Sequence, residues 1–485
     1  MVDFSKHRLT GTPAPARFEI DLHDCEVTGE IPKDLDGAFY RMHLDWLYPP
    51  ANIDETILAA DGYISMFRLR NGRADYKGRY VQTLRYCNQI KAGRQLYGYY
   101  RNPYTDDPSV RDIANPGART TANTTPVVLG GKLYATKEDG LPYEIDPNTL
   151  QTLGQTNFGG RWKSQTFTAH PKIDPLTGET YAYGYEATGL CSRDVFVCCF
   201  DRAGQITREW RFEVPHTSML HDMWLTQEHV IIPGGGLVTD IEWLKAGKMH
   251  WGWDSSRPSY HAVIPRQGGD EDIRFFFGPE RSIVHTANAR TERGKIVLEG
   301  PAANGNTWPW FKDIKGKPYE PVPNTLRRVT LDLGSKNGGV AEETLFDTPI
   351  SSFTRIDERF LTLPYRYVYV QYADGRFDSG DKLGRTEGNC FGRFDLLNRT
   401  LKPYFPGRGR ALQEPVFIPR SANSAEGDGY LIGVGHNVEQ SATEAYLVDA
   451  TSMEEIARIT LPLRTSGQVH GTWASSGVLP LTEVG

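Results

Sequence analysis

Tyr365-Arg366-Tyr367-Val368-Tyr369-Val370-Gln371-Tyr372 alternates aromatic and β-branched residues, and after Ala373 it runs into Asp374-Gly375. Side chains of this kind suit a pleated, half-buried surface. An Asp-Gly step supplies the backbone freedom that a tight turn needs. The same alternation of β-rich run and turn recurs along the chain. Asp194–Phe200 runs into Asp201-Arg202-Ala203-Gly204, and Val230–Ile232 and Lys295–Leu298 read as further strands. Asp146-Pro147-Asn148 and Asp174-Pro175-Leu176-Thr177-Gly178 read as turns. Helix signals are scarce: a short helix is expected within Thr239–Lys248 and a single helical turn at Ser452–Ala457. Short strands in such number, over 485 residues with no break in composition, predict an all-β architecture built as one domain over residues 1–485. A β-propeller handles the exposed edges of so many strands by radial repetition. A pair of β-sandwiches is the other arrangement that the pattern allows, since no regular 40–50-residue repeat is visible.

Composition narrows the function. Lys and Arg total 54 against 60 Asp and Glu, a net charge of −6. Without a basic run, nucleic acid is not the expected partner. A hydrophobic content of 39% with 11% aromatics excludes a disordered chain. The longest apolar run, near Val195–Phe200, falls far short of the ~20 residues that cross a bilayer. The opening Met1-Val2-Asp3-Phe4-Ser5-Lys6-His7 has no apolar core, so no secretory signal is expected. Six scattered cysteines without a CxxC pattern read as free thiols in a reducing, cytoplasmic setting.

Twelve histidines are present, but HExxH, HxH and facial-triad spacings are all missing. Judged by residue type, each is a surface or core histidine before it is a ligand. Four stand where a loop meets a β run: His170 before Pro171, His221 in His221-Asp222-Met223, His285 in His285-Thr286-Ala287-Asn288, and His470 in His470-Gly471-Thr472-Trp473. In a propeller, such junctions can converge on the axis.

These four contexts resemble the metal-binding histidines of the carotenoid cleavage dioxygenase family. Gly29-Glu30-Ile31-Pro32-Lys33-Asp34-Leu35-Asp36-Gly37-Ala38-Phe39-Tyr40-Arg41 and Asp61-Gly62-Tyr63-Ile64-Ser65-Met66-Phe67 are similar to its amino-terminal blocks. The resemblance implies a seven-bladed propeller with a dome of loops and short helices over one axial Fe(II) per chain. The implied ligands are His170, His221, His285 and His470. Four neutral imidazoles would leave coordination positions open for O2. Partners that orient the imidazoles are matched by Glu138 and by Glu426 in Glu426-Gly427-Asp428-Gly429-Tyr430. A third glutamate is expected before a Phe-Pro-Arg-Ile run. Here the run is Ser352-Phe353-Thr354-Arg355-Ile356, so Ser352 takes that place and the orientation of His285 becomes the open question. Thr124 resembles the threonine whose methyl group crowds a metal position.

Tyr99-Tyr100-Arg101-Asn102-Pro103-Tyr104 and Lys137-Glu138-Asp139-Gly140 are similar to the bacterial stilbene-cleaving branch of the family. The branch implies that Tyr100 and Lys137 hold the phenol oxygen of a 4-hydroxystilbene. An ammonium group favours the phenolate of a phenol whose ordinary pKa is about 10. The phenolate then enriches the double bond that O2 attacks. Trp308 and Trp310 resemble an aromatic wall of the substrate tunnel, and Leu58 stands where the branch places a substrate-packing phenylalanine. The expected activity is cleavage of the central double bond of a lignostilbene- or resveratrol-type molecule to two hydroxybenzaldehydes, with a homodimer by analogy. An apocarotenoid-cleaving oxygenase and a non-catalytic phenol-binding propeller are the alternatives.

Overall fold

The computed structural model describes residues 2–4, 15–335, 339–380 and 388–482. Its strands form seven antiparallel blades arranged as a ring, with one extra two-stranded ribbon. Blade 2 comprises Thr125–Leu129, Lys132–Thr136, Tyr143–Ile145 and Thr152–Gln155. Blade 3 runs from Lys172–Ile173 to Ile206–Glu213, blade 4 from Trp224–Leu225 to Arg274–Gly278, and blade 5 from Asn288–Glu292 to Val340–Ile350. Blade 6 holds Tyr367–Tyr372, Cys390–Asp395 and Thr400–Tyr404. An Arg355–Tyr369 bridge extends it toward the axis.

Blades 1 and 7 close the ring by exchanging strands. The late strand Gly467–Ser475 pairs with Gly37–Asp45 as the innermost strand of blade 1, with Phe39 opposite Trp473. The early strand Glu26–Gly29 pairs with Glu454–Leu461 at the outer edge of blade 7. Neither end of the ring is thus left as an open sheet edge. Gly37 permits the close fit at this joint, because a β-carbon there would stand 2.3 Å from the Trp473 ring.

Asp194–Phe200 is a strand as read. The expected helix within Thr239–Lys248 is present as Ile241–Lys245. The helical turn expected at Ser452–Ala457 is not. Glu454–Leu461 is a strand, because its place between Ala442–Asp449 and Glu26–Gly29 in blade 7 supplies ladder partners on both sides. A helix over Leu84–Ala92 escaped the sequence reading, although Thr83 caps its first turn and Gly93, at φ 66°, ends it. Of the six cysteines, Cys198, Cys199 and Cys390 are buried, Cys25 and Cys191 are half-buried and Cys87 is exposed; all are free thiols. Among the described residues no helix is long and apolar enough to cross a membrane.

A long connection from blade 1 to blade 2 packs with long loops inside blades 4 and 5 into a cap. Asn102 donates to the Leu244 and Lys248 carbonyls, and the Trp253 N–H donates to the Lys312 carbonyl. Trp46, Ile57, Tyr100, Trp251, Trp253 and Phe311 share one apolar cluster with the inner residues of blades 3 and 4. The cap thereby fixes Tyr100 relative to the ring.

Candidate active site

The four histidines expected as ligands lie together. Each belongs to the innermost edge of a blade. His170, His221 and His285 stand just before the inner strands of blades 3, 4 and 5, and His470 lies within the inner strand of blade 1. One ring nitrogen from each falls within 4.8 Å of all the others, and all four residues are buried. The Nε2 atoms of His170 and His221 are 3.2 Å apart, and those of His221 and His285 are 3.1 Å apart.

The three blades that contribute no histidine contribute the partners instead. Glu138 from blade 2 lies 3.3 Å from His221 Nδ1. Ser352, on the approach to blade 6, has its hydroxyl 2.9 Å from His285 Nδ1. Glu414, between the inner segments Arg410–Leu412 and Val416–Pro419 of blade 7, lies 2.9 Å from His470 Nδ1. A carboxylate only accepts, so Nδ1 of His221 and His470 carries the proton and Nε2 presents a lone pair to the centre. The Nε2 of His470 is buried with no hydrogen-bond partner among the described residues. Burial, reinforced by the neighbouring imidazoles, holds His170 and His285 far below the ordinary histidine range. Burial also lowers His470, against the pull of Glu414. Neutral imidazoles with converging lone pairs and an orphaned buried acceptor are the donor set that a divalent transition metal fits.

Glu414 replaces Glu426 in the expected set. Glu426 accepts the backbone N–H groups of Arg366 (2.8 Å) and Tyr367 (2.9 Å), and so fixes the start of a blade-6 strand. It sits beyond the far end of Val416–Pro419, whereas Glu414 precedes that strand on the side of the histidines. Burial raises the Glu414 carboxyl, but His470, Arg355 and Arg41 outweigh it and hold the group at about 2. Its second oxygen accepts the Gly471 N–H at 2.8 Å. A signal for Glu414 was present in the sequence: it precedes Pro415 and an apolar strand, just as His170 precedes Pro171 and a strand.

Lys137 is buried beside this centre, and both of its hydrogen-bond acceptors are uncharged. Its ammonium donates to Asn123 Oδ1 (2.7 Å) and to the Leu58 carbonyl (3.0 Å). Asn123, fully buried, is held in turn by donating to the Leu58 and Ala60 carbonyls. Gly62 lets this strap lie close, since a β-carbon there would meet the Thr121 carbonyl at 2.3 Å. Burial lowers the Lys137 pKa, with Asp139 and Glu138 opposing. The ammonium lies 4.9 Å from the centroid of the Tyr100 ring. Tyr100 directs its hydroxyl to Glu138 Oε1 at 3.2 Å. That is the same carboxylate oxygen that faces His221. Glu55 accepts the Tyr100 N–H at 3.1 Å. Neither Asn123 nor Glu55 was singled out from sequence.

The remaining candidates divide. Trp308 packs edge-on against His221 at 5.8 Å and against Trp310 at 5.9 Å. With Met219, Leu237 and Trp253 it lines a tight apolar pocket at His221. Leu58 contributes its carbonyl to Lys137 and its side chain to the cap cluster. The Thr124 hydroxyl turns to Asn123 Oδ1 at 3.2 Å. Phe353, also unforeseen, packs tilted against His285 at 5.0 Å and edge-on against His470 at 4.9 Å. A cavity of about 790 Å³ reaches His170, His285 and His470 along the inner strands, but neither Tyr100 nor Lys137 lines it. It carries the Lys172–Asp222 (2.9 Å) and Arg355–Glu358 (2.6 Å) ion pairs. Val127, Leu129, Ile173, Phe353 and Ile356 line it beside these pairs, so apolar wall and a few charged groups meet there, as in many small-molecule sites.

Residues 13–475 match the family model described as retinal pigment epithelial membrane protein, RPE65. The chain belongs to the RPE65/carotenoid cleavage oxygenase family. Within this family it is similar to lignostilbene-alpha,beta-dioxygenase isozyme III of Sphingomonas paucimobilis, at 40% identity over 98% of both chains. It is 37% identical to resveratrol cleavage oxygenase 1 of Aspergillus fumigatus, over 96% of this chain and 95% of the other. The crystal structure of Pseudomonas brassicacearum lignostilbene dioxygenase superposes with a TM-score of 0.91 at 35% identity, covering 95% of this chain and 96% of that one. The RPE65 match spans all four histidines, Lys137, Tyr100 and Glu414.

Proposed function

We propose that this protein is a dioxygenase that cleaves the central carbon–carbon double bond of 4-hydroxystilbenes with O2. Both oxygen atoms are transferred, one to each half, so that two aromatic aldehydes leave. The observation that carries the reading is the buried Lys137 ammonium, one residue before the Glu138 that faces His221, whose acceptors among the described residues are the neutral oxygens of Asn123 and Leu58. A buried charge without a counter-charge in direct contact is costly, and an aryl oxide supplies that charge. The relatives named above for lignostilbene and resveratrol support the substrate class.

His170, His221, His285 and His470 would hold a ferrous ion, which when bound supplies the site for O2 and the electrons for its activation. The protein does the rest. Lys137 binds the phenol oxygen and favours its ionised form. The phenolate pushes electron density through the ring toward the alkene. Trp308 and its apolar neighbours exclude water and orient the second ring. Glu138 and Glu414 fix the tautomers of His221 and His470.

Oxygen uptake by iron-loaded protein tests the reading. We expect rapid uptake with trans-4-hydroxystilbene and at least a roughly hundred-fold lower kcat/KM with its 4-methoxy analogue, because a site built for a polar group rejects the analogue lacking it. Equal turnover of the two would remove the phenolate step. Stoichiometric iron without any uptake would point to a binding protein.

A further inference from the structure

Glu138 Oε1 is shared by two donors from opposite sides. His221 Nδ1 approaches at 3.3 Å from the metal-binding cluster, and the Tyr100 hydroxyl approaches at 3.2 Å from the cap. The other oxygen of the same carboxylate, Oε2, is buried and has no hydrogen-bond partner among the described residues. Tyr100 itself is fully enclosed, and burial together with Glu138 holds its hydroxyl far above the ordinary phenol range, so it is a neutral donor. A neutral hydroxyl has one hydrogen to give. The Lys137 ammonium lies 4.9 Å from the centroid of the Tyr100 ring. An aryl oxide drawn to Lys137 therefore brings a second, stronger acceptor toward the hydroxyl that Glu138 receives from the cap.

We propose that Tyr100 reports the binding of a phenolate at Lys137 to the metal centre. Its hydroxyl passes from Glu138 Oε1 to the phenolate oxygen of the ligand. Glu138, relieved of that donor, accepts more strongly from His221 Nδ1. A stronger Nδ1–H···carboxylate bond makes the imidazole a better electron donor at Nε2. The phenolic ligand thus alters the ligand field of a metal that it does not touch. The inference rests on the phenol reading given above. It adds an order to it: the organic substrate arrives first and tunes the metal that then meets O2.

The test uses Co(II)-loaded protein and its visible spectrum, with 4-hydroxybibenzyl as a phenolic ligand that has no double bond to cleave. Bibenzyl, of the same shape without the hydroxyl, is the control. Binding is followed separately by quenching of tryptophan fluorescence. We expect the Co(II) bands of the wild type to shift with 4-hydroxybibenzyl and not with bibenzyl. In Tyr100→Phe the phenol should still bind through Lys137, with Kd raised no more than about ten-fold, while the shift is lost. Retention of the shift in Tyr100→Phe, or binding to the wild type without a shift, overturns the coupling and leaves the phenol reading intact. Failure of 4-hydroxybibenzyl to bind, or binding indifferent to Lys137→Met, overturns the phenol reading and the coupling with it. A thermal melt of Tyr100→Phe within a few degrees of wild type, with Co(II) still bound, shows that a lost shift is not lost structure.

Discussion

Asn123 Oδ1 accepts from Lys137 Nζ at 2.7 Å, the shortest contact that the buried ammonium makes. Oδ1 also accepts the Thr124 hydroxyl, while the amide nitrogen is spent on two backbone carbonyls. The amide therefore cannot turn over without breaking four contacts. It holds the ammonium without neutralising it. Asn123→Leu should leave Lys137 free to swing and cost about 1–3 kcal/mol of stability from the unsatisfied buried groups. kcat/KM for 4-hydroxystilbene should fall by about 10–100-fold, since misplacement of a reacting partner by an ångström costs on that order. Asn123→Asp should preserve the fold better and still lose activity, because its carboxylate takes the charge meant for the substrate. Oxygen-uptake kinetics and thermal melts on the two variants check this.

Lys137→Met keeps the length and apolar stem of the side chain and removes its charge. The preference for 4-hydroxy- over 4-methoxystilbene should collapse to within about ten-fold. The pH dependence of kcat/KM should move up toward the phenol's own value near ~10. The wild type should gain activity at lower pH, because the ammonium favours ionisation of the bound phenol. An unchanged preference in the variant would show that Lys137 does not read the hydroxyl.

The histidine centre was legible in sequence because its ligands stand in short, distinctive contexts at strand starts, and those contexts survive without the rest of the fold. Their partners were legible only where chain order fixes them. Glu138 follows Lys137 directly, but Glu414 and Glu426 both sit near blade-7 strands, and only the register of Val416–Pro419 on Gly429–Asn437 decides which one meets His470. Asn123 was invisible for a similar reason. Its contact with Lys137 joins the approach to Thr125–Leu129 with the exit from Lys132–Thr136, and nothing in either segment names the other. Ser452–Ala457 failed differently. Its local preference for a helical turn yields to the hydrogen bonds that two neighbouring strands provide.

Glu414 and Glu426 offer a paired test of that assignment. Glu414→Gln should weaken metal binding by roughly 10–100-fold, the range typical for groups that orient a metal-bound imidazole. Glu426→Gln should leave metal affinity within about three-fold and cost about 0.5–1.5 kcal/mol through the Arg366 and Tyr367 N–H bonds. Competition with a chromophoric chelator gives the affinities, and denaturant unfolding gives the stabilities. Equal metal loss in both variants would contradict the geometry.

Ser352 makes the centre electrically asymmetric. Glu138 and Glu414 place two negative charges behind His221 and His470, while His285 has only a hydroxyl at 2.9 Å. With a divalent ion bound, the imidazoles and their partners sum to zero charge. Ser352→Glu adds a third carboxylate and should tighten divalent-metal binding by about 10–100-fold. Ser352→Ala removes the hydroxyl and should loosen binding, by less than loss of either carboxylate. The bound iron of Ser352→Glu should also oxidise faster in air, because the extra charge favours the ferric state. Chelator competition and the rise of ferric absorbance measure the two effects.

Glu55 connects the cap to pH. Its carboxylate accepts the Thr56 N–H at 2.8 Å and the Tyr100 N–H at 3.1 Å, and burial outweighs these bonds and raises its pKa to about 7. The folded state therefore prefers the protonated acid, whereas the unfolded chain ionises in the ordinary carboxylate range. The stability gained from this group is complete below that range, declines as pH rises through it and is lost above about 7. Glu55→Gln cannot ionise. It should be somewhat less stable than wild type at pH 5, where the acid's hydroxyl oxygen still accepts an N–H that the amide nitrogen cannot, and its melting temperature should then fall less on going to pH 7.5. The two curves should converge or cross as pH rises. Parallel curves would mean that Glu55 titrates alike in both states, and that the Tyr100 backbone is held mainly by a carboxylate from pH 5 to 7.5.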